Sequence, residues 1–357
     1  MPIFELSVAF FSATLITPLI IKLAQYLRLV DNPQIRKHPA HTHHGTIPRA
    51  GGLALFVGIL IPTFIFLPLS KALIGLLFAG TLTTLVGLWD DYRDLSPYFR
   101  FGANIMTALI VVGAGIGIPF ITNPFGGVIP LDTWTVSFTL FGQHSIVVWA
   151  DVFAVLWIVW TMNIVGWSSG VDGQMPGFVT ISAIILGFLS LRFTAHDISQ
   201  TIVASLAFIL AGSYLGFLPW NFYPQKIMPG YGGKTLAGLY LSVIAILSGG
   251  KVGSALLVLA IPMIDAAYSL LRRVLHQRSP FRGDRNHFHH LLLDWGWGKR
   301  RIALFYWSVS AVLGILTLYL TSTQKFFAFI VVAVSVIGII TWITLFVHIR
   351  KFTQDMQ

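Results

Sequence analysis

The chain has 357 residues, 55% of them hydrophobic and 10% charged, with a net charge of +10 and a mean hydropathy of +0.79. Soluble domains carry about 25% charged residues, so a soluble fold is excluded and an integral membrane protein is implied. Absence of cysteine excludes a disulfide framework and a cysteine-based zinc site, and charges this sparse argue against nucleic acid as the partner of the basic excess.

A helix needs about 20 apolar residues to cross a bilayer. Eleven stretches are predicted spans: 4–27, 51–69, 72–89, 101–119, 146–164, 176–193, 199–217, 235–249, 252–273, 302–321 and 326–348. The eighth is short and the fourth glycine-rich. The first lacks a basic flank and a small-residue cleavage site, so it reads as a spanning helix rather than a cleaved signal. Lys and Arg set the orientation. With the N-terminus outside, 19 basic residues fall on the inner side and four, Lys71, Arg192, Lys251 and Lys325, on the outer. The expected fold is an all-α polytopic membrane protein of about 11 transmembrane helices, one domain over residues 1–357, C-terminus inside. Residues 119–145 are different. After Asn-Pro and Gly-Gly turns, residues 133–140 alternate strictly with period two, which predicts a strand in a small external β-hairpin.

Every other polar cluster falls on the predicted inner face, at residues 31–52, 90–100, 163–173, 221–234 and 272–290. A passive anchor needs no such set. Asp90-Asp91 closes the third span, where adjacent carboxylates and the helix dipole disfavour one another. The pair is either a solvated turn or is neutralised by a divalent cation or a substrate proton. Arg36, Lys37 and Arg49, followed by Gly51-Gly52, suit a phosphate held by guanidinium and backbone N–H, or simply mark the inner face. Asn163 and Asp172 flank Gly166-Trp167-Ser168-Ser169-Gly170-Val171, a candidate nucleotide loop or a plain polar turn. Asp265 lies inside the ninth span, where a carboxylate is functional by default or partners an arginine. The richest run is Arg278 to His290, with Arg282, Asp284, Arg285, His287, His289 and His290. Zinc wants three or four ligands with a supporting shell. No cysteine or near fourth ligand is present, so a grip on an anion is the better reading. The histidines at 38, 41, 43 and 44 read as loop residues.

Together these clusters resemble the polyprenyl-phosphate N-acetylhexosamine-1-phosphate transferases, over residues 1 to about 300. Asp31-Asn32-Pro33, Arg36-Lys37-His38 and Pro48-Arg49-Ala50-Gly51-Gly52 look like that family's first cytoplasmic motif. Asp90-Asp91 through Asp94-Leu95-Ser96-Pro97 matches its aspartate-rich motif, with Arg100 in place of the usual lysine. Asn221, Pro224 and Lys226 resemble the stretch before its glycine-rich loop. Pro262, Asp265, Arg272, Ser279-Pro280-Phe281, Asp284-Arg285 and His287-Phe288-His289-His290 match its ninth-helix and histidine motifs. The H-x-H-H form resembles the branch using UDP-N-acetylglucosamine rather than UDP-N-acetylmuramoyl-pentapeptide. Two departures stand out. Asn163, Gly166, Ser169-Gly170 and Asp172-Gly173 lack the second Asn and first Asp of the nucleotide motif. In the glycine-rich loop, Gly230 replaces an aspartate implied to bind magnesium, and Lys234 follows just beyond.

The resemblance implies a glycosyl-1-phosphate transferase of the cell-envelope pathways that build lipopolysaccharide, teichoic acid or cell wall. It would move N-acetylglucosamine-1-phosphate from a UDP-sugar to undecaprenyl or another polyprenyl phosphate, releasing UMP, at the cytoplasmic face of the inner membrane. Asp90 is the expected base, Asp91 and Asp172 the expected ligands of magnesium, or of manganese in its stead. Asn163 and Asp172 are expected to hold the nucleotide, and Arg36, Lys37, Arg49, Asn221, Lys226, Lys234, Asp265 and the run from Arg282 to His290 the remaining substrate groups. Gly230→Asp is expected to lower the magnesium requirement unless residue 230 sits at positive φ. A homodimer is compatible with this reading. The alternatives are a catalytically silent homologue that binds lipid phosphate or nucleotide sugar, a phospho-N-acetylmuramoyl-pentapeptide transferase, and a transporter. The last is disfavoured because no internal repeat is found.

Overall fold

Backbone N–H and C=O groups cannot be left open in hydrocarbon, so long apolar runs close their hydrogen bonds as helices. The computed structural model describes residues 2–34, 42–43, 45–139, 143–248, 252–279 and 285–355, the side chains of 143–144 and 347–355 excepted. All eleven apolar stretches are helical: α1 (Ile3–Tyr26), α2 (Gly51–Phe66), α3 (Lys71–Arg93), α4 (Pro97–Gly113), α5 (Val148–Trp167), α6 (Gln174–Leu191), α7 (Ser199–Asn221), α8 (Gly230–Leu247), α9 (Val252–Val258) with α10 (Ala260–Leu275), α12 (Lys299–Tyr319) and α13 (Ser322–Asp355). A short α11 (Phe288–Asp294) carries the last two histidines. The protein is an all-α polytopic membrane protein. Among the described residues eight helices are long and apolar enough to cross a membrane, and α9 with α10 makes a ninth if counted as one bent span.

Three expectations change. The ninth span is not one helix but two, meeting at 85°. Pro262 has no N–H to continue the ladder and its ring crowds the carbonyl four residues back, so the chain breaks before it. α2 stops at Phe66 because Leu67, which precedes Pro68, is extended at φ −108°, ψ 137°. Between α4 and α5 there are two hairpins rather than one. β3 (Phe120–Thr122) pairs with β4 (Val128–Pro130), and β5 (Thr135–Thr139) with β6 (Gln143–Val147), both antiparallel. Leu140, the end of the predicted strand, lies outside the described residues. A further two-residue pair, β1 (Val30–Asp31) with β2 (Ile47–Pro48), brackets the loop after α1.

α7 packs on α1 and α6, and α8 on α5, α3 and α2. Glycine decides the α8 crossings. A Cβ at Gly87 would lie 2.2 Å from the Cα of Gly232, and one at Gly52 would lie 2.5 Å from the backbone nitrogen of Gly233. Small residues let helix backbones touch where lipid gives no hydrophobic drive for association. These two contacts press the ends of α2 and α3 onto the first turn of α8 and so bring distant polar segments to one end of the bundle.

Candidate active site

Asp90 and Asp91 lie about one turn beyond Gly87, where α3 meets the start of α8. Asp94 ends α3 in the left-handed region at φ 52°, and the Ser96 hydroxyl accepts the Phe99 N–H at 3.2 Å to start α4 with Pro97 at its head. That sharp turn sends Arg100 back to α3. Its Nε donates to Asp90 Oδ1 at 2.5 Å and its Nη2 to Asp94 Oδ1 at 2.7 Å. From the other side Arg49 Nε lies 3.2 Å from Asp91 Oδ1, and its Nη2 lies 3.7 Å from Asp90 Oδ2. The Arg49 N–H donates to Leu29, the Met228 N–H to Pro48 and the Gly51 N–H to Met228, so backbone bonds fix where this guanidinium starts. The Tyr231 N–H, in the first turn of α8, donates to Asp91 Oδ1 at 3.2 Å. A carboxylate at a helix N-terminus is favoured by the dipole as well.

A second knot holds the loop after α5. Asp172 Oδ1 accepts from Lys299 Nζ at 3.0 Å and from Gln225 Nε2 at 3.1 Å, and Oδ2 accepts the Gln225 N–H at 3.3 Å. Asn221 accepts the Gly173 N–H at 3.0 Å and donates to Gln225 Oε1 and the Ile227 carbonyl. Asn163 donates to the Val159 carbonyl of its own helix at 2.7 Å, which leaves its Oδ1 for a ligand.

The histidines form a wall. His287 Nδ1 lies 3.0 Å from Asp265 Oδ2, and the Phe288 N–H donates to Asp265 Oδ1 at 2.8 Å. One buried carboxylate thus orients the imidazole and caps α11. With Nδ1 engaged, Nε2 is the nitrogen open to a ligand. Trp167, His287 and His289 stack in sequence, with centroid separations of 6.4 and 5.8 Å, and His290 lies 4.2 Å from His289. Burial pushes the His289 imidazole well below its ordinary pKa, and His290, His287 and Lys234 push the same way. His289 is therefore neutral at physiological pH. Gly170 makes room for it, because a Cβ there would lie 2.1 Å from His289 Nε2.

All five polar segments line one cavity of about 730 Å³. Of the residues singled out from sequence, Arg49, Asp90, Asn163, Asn221, Lys234, His287, His289 and His290 face it. Asp91 and Asp172 do not line it, and Asp172 is consumed by Lys299 and Gln225. Asp265 acts behind His287. Lys226 lies over the Trp220 ring at 5.3 Å, away from the cavity, and exposed Arg285 pairs with Asp294 at 2.9 Å. Arg36, Lys37, Arg282 and Asp284 lie outside the described residues. The sequence gives no site role to Gln225, Tyr231 or Lys299, and offers Arg273, a cavity residue, only as one of two arginines, with Arg272, that could partner Asp265. The spacing of Tyr231 next to Gly230 was the one available signal.

A model of glycosyl transferase family 4 matches residues 73–249. A decaprenyl-phosphate N-acetylglucosaminephosphotransferase of Mycobacterium leprae (strain TN) is 31% identical, over 85% of this chain and 80% of that protein. The chain belongs to glycosyl transferase family 4. Two undecaprenyl-phosphate α-N-acetylglucosaminyl 1-phosphate transferases are also similar to this family member. That of Haemophilus influenzae (strain ATCC 51907 / DSM 11121 / KW20 / Rd) is 30% identical over 85% of this chain and 83% of its own. That of Thermotoga maritima (strain ATCC 43589 / DSM 3109 / JCM 10099 / NBRC 100826 / MSB8) is 28% identical over 92% and 94%.

In this glycosyl transferase family 4 member the carboxylates expected to hold magnesium already face basic side chains. Magnesium asks for an octahedron of oxygens with one or two free carboxylates. Asp90 and Asp91 each already face an arginine, and Asp172 faces a lysine. Among the described residues no three His, Asp or Glu side chains group as metal ligands.

Proposed function

We propose that this protein transfers N-acetylglucosamine-1-phosphate, or a related sugar-1-phosphate, from a UDP-sugar to polyprenyl phosphate. The observation that carries this is the convergence of the five polar segments on one cavity, lined by Arg49, Arg100 and Lys234 together with the buried His287, His289 and His290. The names of the similar proteins support the same acceptor class and the same sugar.

An oxygen of the lipid phosphate attacks the β-phosphorus of the donor. The bond from that phosphorus to the α-phosphate oxygen breaks, UMP leaves with the electron pair, and a lipid-linked sugar diphosphate remains. Such transfer needs positioning and charge neutralisation more than covalent help. A phosphate monoester is largely dianionic near neutral pH, its second pKa being about 6. The acceptor therefore needs no strong base, and Asp90 serves by aiming Arg49 and Arg100. Phe101, Leu156, Val159, Trp160 and Leu270 form an apolar side of the cavity suited to the first prenyl units. Neutral His289 and the Asp265-oriented His287 donate hydrogen bonds or accept them from the sugar diphosphate. The predicted charge bias puts this end of the bundle at the cytoplasmic face of the inner membrane.

The test is release of UMP by the full chain in detergent, offered a panel of UDP-sugars and undecaprenyl phosphate. Turnover with UDP-N-acetylglucosamine is expected. Binding of that nucleotide without turnover with any sugar would favour the silent homologue instead.

A further inference from the structure

Gly230 stands where the resemblance implies an aspartate, and its backbone gives a reason for glycine. It sits at φ +66°, and a Cβ there would lie 2.1 Å from both Asp91 Oδ2 and the Arg49 carbonyl oxygen. No side chain of any kind fits this backbone. Asp91 fills the space an acidic residue at 230 would need.

Lys234 is four residues further along α8, on the same face. Helical side chains lean toward the helix N-terminus, the end of α8 at which Asp91 accepts the Tyr231 N–H. The Lys234 ammonium shares its surroundings with Asp91, Asp90, Arg49 and Arg100. Among the described residues it makes no hydrogen bond and no ion pair, and it lines the cavity. Arg49 and Arg100 are each tied to a carboxylate; Lys234 is not.

The local charge follows. Among the described residues that line the cavity, Arg49, Arg100, Lys234 and Arg273 stand against Asp31 and Asp90, leaving a net positive lining before any ligand enters. An aspartate at 230 with an uncharged residue at 234 would make that charge lower by two. That difference equals the charge of a divalent cation. A diphosphate approaching an acidic pocket needs such an ion to bridge it. Here the cavity lining is already cationic, and a dehydrated metal would face repulsion from its basic groups.

We propose that Lys234, with Arg49, holds the donor diphosphate in place of a divalent metal ion. The inference rests on the transferase reading for the identity of the donor, but the diphosphate seat can be tested without it. Lysine is suited to this as a compact ammonium with three donors.

Equilibrium binding of UDP, uridine and inorganic pyrophosphate is measured on the purified full chain, in EDTA and in magnesium. UDP and pyrophosphate are expected to bind in EDTA within about twofold of their affinity in magnesium. Lys234→Met should weaken both by about 10- to 150-fold, the value of a hydrogen bond to a charged group, and leave uridine unchanged. Lys234→Arg should keep most of the affinity. Should the Met variant not fold, Lys234→Gln replaces it, and the chelator comparison on the wild type stands by itself. A tenfold or greater loss of UDP and pyrophosphate binding in EDTA, recovered by magnesium, overturns the proposal. So does a Met variant that binds pyrophosphate as the wild type does, or a wild type that binds neither anion. Pyrophosphate bound through Lys234 with no binding of UDP or uridine would instead keep the anion seat and reject the nucleotide-sugar donor.

Discussion

Replacing Asp265 by alanine removes both acceptors that hold α11 against α10. The carboxylate is 1% exposed and receives the His287 Nδ1 at 3.0 Å and the Phe288 N–H at 2.8 Å. A hydrogen bond to a charged group contributes about 1.5–3 kcal/mol, and two that share one acceptor residue add less than fully, which gives about 3–5 kcal/mol for Asp265→Ala. Asp265→Asn is the sharper variant. Its amide oxygen can still cap Phe288, but its NH₂ group meets the Nδ1–H donor to donor. It should lose about half as much, roughly 1.5–3 kcal/mol. The function should separate from the stability. With His287 free to turn, UMP release should fall further in Asn than its small loss of stability explains. The assays are denaturant unfolding in detergent and the rate of UMP release at saturating donor. An Asn variant as stable and as active as the wild type would mean that Asp265 does not orient His287, and the histidine wall would need another support.

Gly230→Asp should not bring magnesium dependence; the added side chain strikes Asp91 and the Arg49 carbonyl, so UDP affinity and unfolding midpoint should both drop, and an intact variant with a new metal requirement would refute the steric reading. His289 has its pKa lowered from 6.5 by burial first and by His290, His287 and Lys234 next. The unfolded chain takes up this proton near the ordinary value while the native chain does not, so stability held above that pH declines as pH falls below it. Unfolding midpoints at about pH 7.5 and 5.5 should differ by less in His289→Phe than in the wild type; an equal difference places the titration elsewhere. Cysteines placed at Thr135 and at Arg300 test the orientation with an impermeant thiol reagent on intact cells: the first should label and the second should not, and the reverse pattern inverts the bundle.

The helices were legible because lipid leaves the backbone one solution, and apolar length alone reveals it. Their breaks were legible only in part. Pro262 sits in the ninth stretch in plain view, yet a proline in an apolar run is equally compatible with a kinked single span, and only packing on α12 and α13 settles an 85° turn. The second hairpin escaped because Phe120 to Thr122 is three residues long, too short for period-two alternation to show. The site was legible as a set of polar segments, since charge beside hydrocarbon always needs a reason. What each residue does there was not. Asp172 meets Lys299 across 127 positions, and nothing near either one points to the other. Their pairing follows from α6 lying against α12.

Glycine spacing is the level at which sequence could have said more. Gly52, Gly87, Gly232 and Gly233 are separate residues in the chain, and each alone is an unremarked small side chain in a span. In the fold they are one contact surface, on which α2, α3 and the first turn of α8 touch backbone to backbone. That surface sets Asp91 under the Tyr231 N–H, and this position in turn excludes any side chain at 230. With residue 230 closed, the charged side chain that α8 brings to the cavity is Lys234, one turn later. The closed position at 230 and the ammonium of Lys234 therefore act together in how the pocket balances charge. It follows that Gly230→Asp cannot stand in for Lys234, because the helix crossing that makes the pocket also occupies the place where the carboxylate would stand.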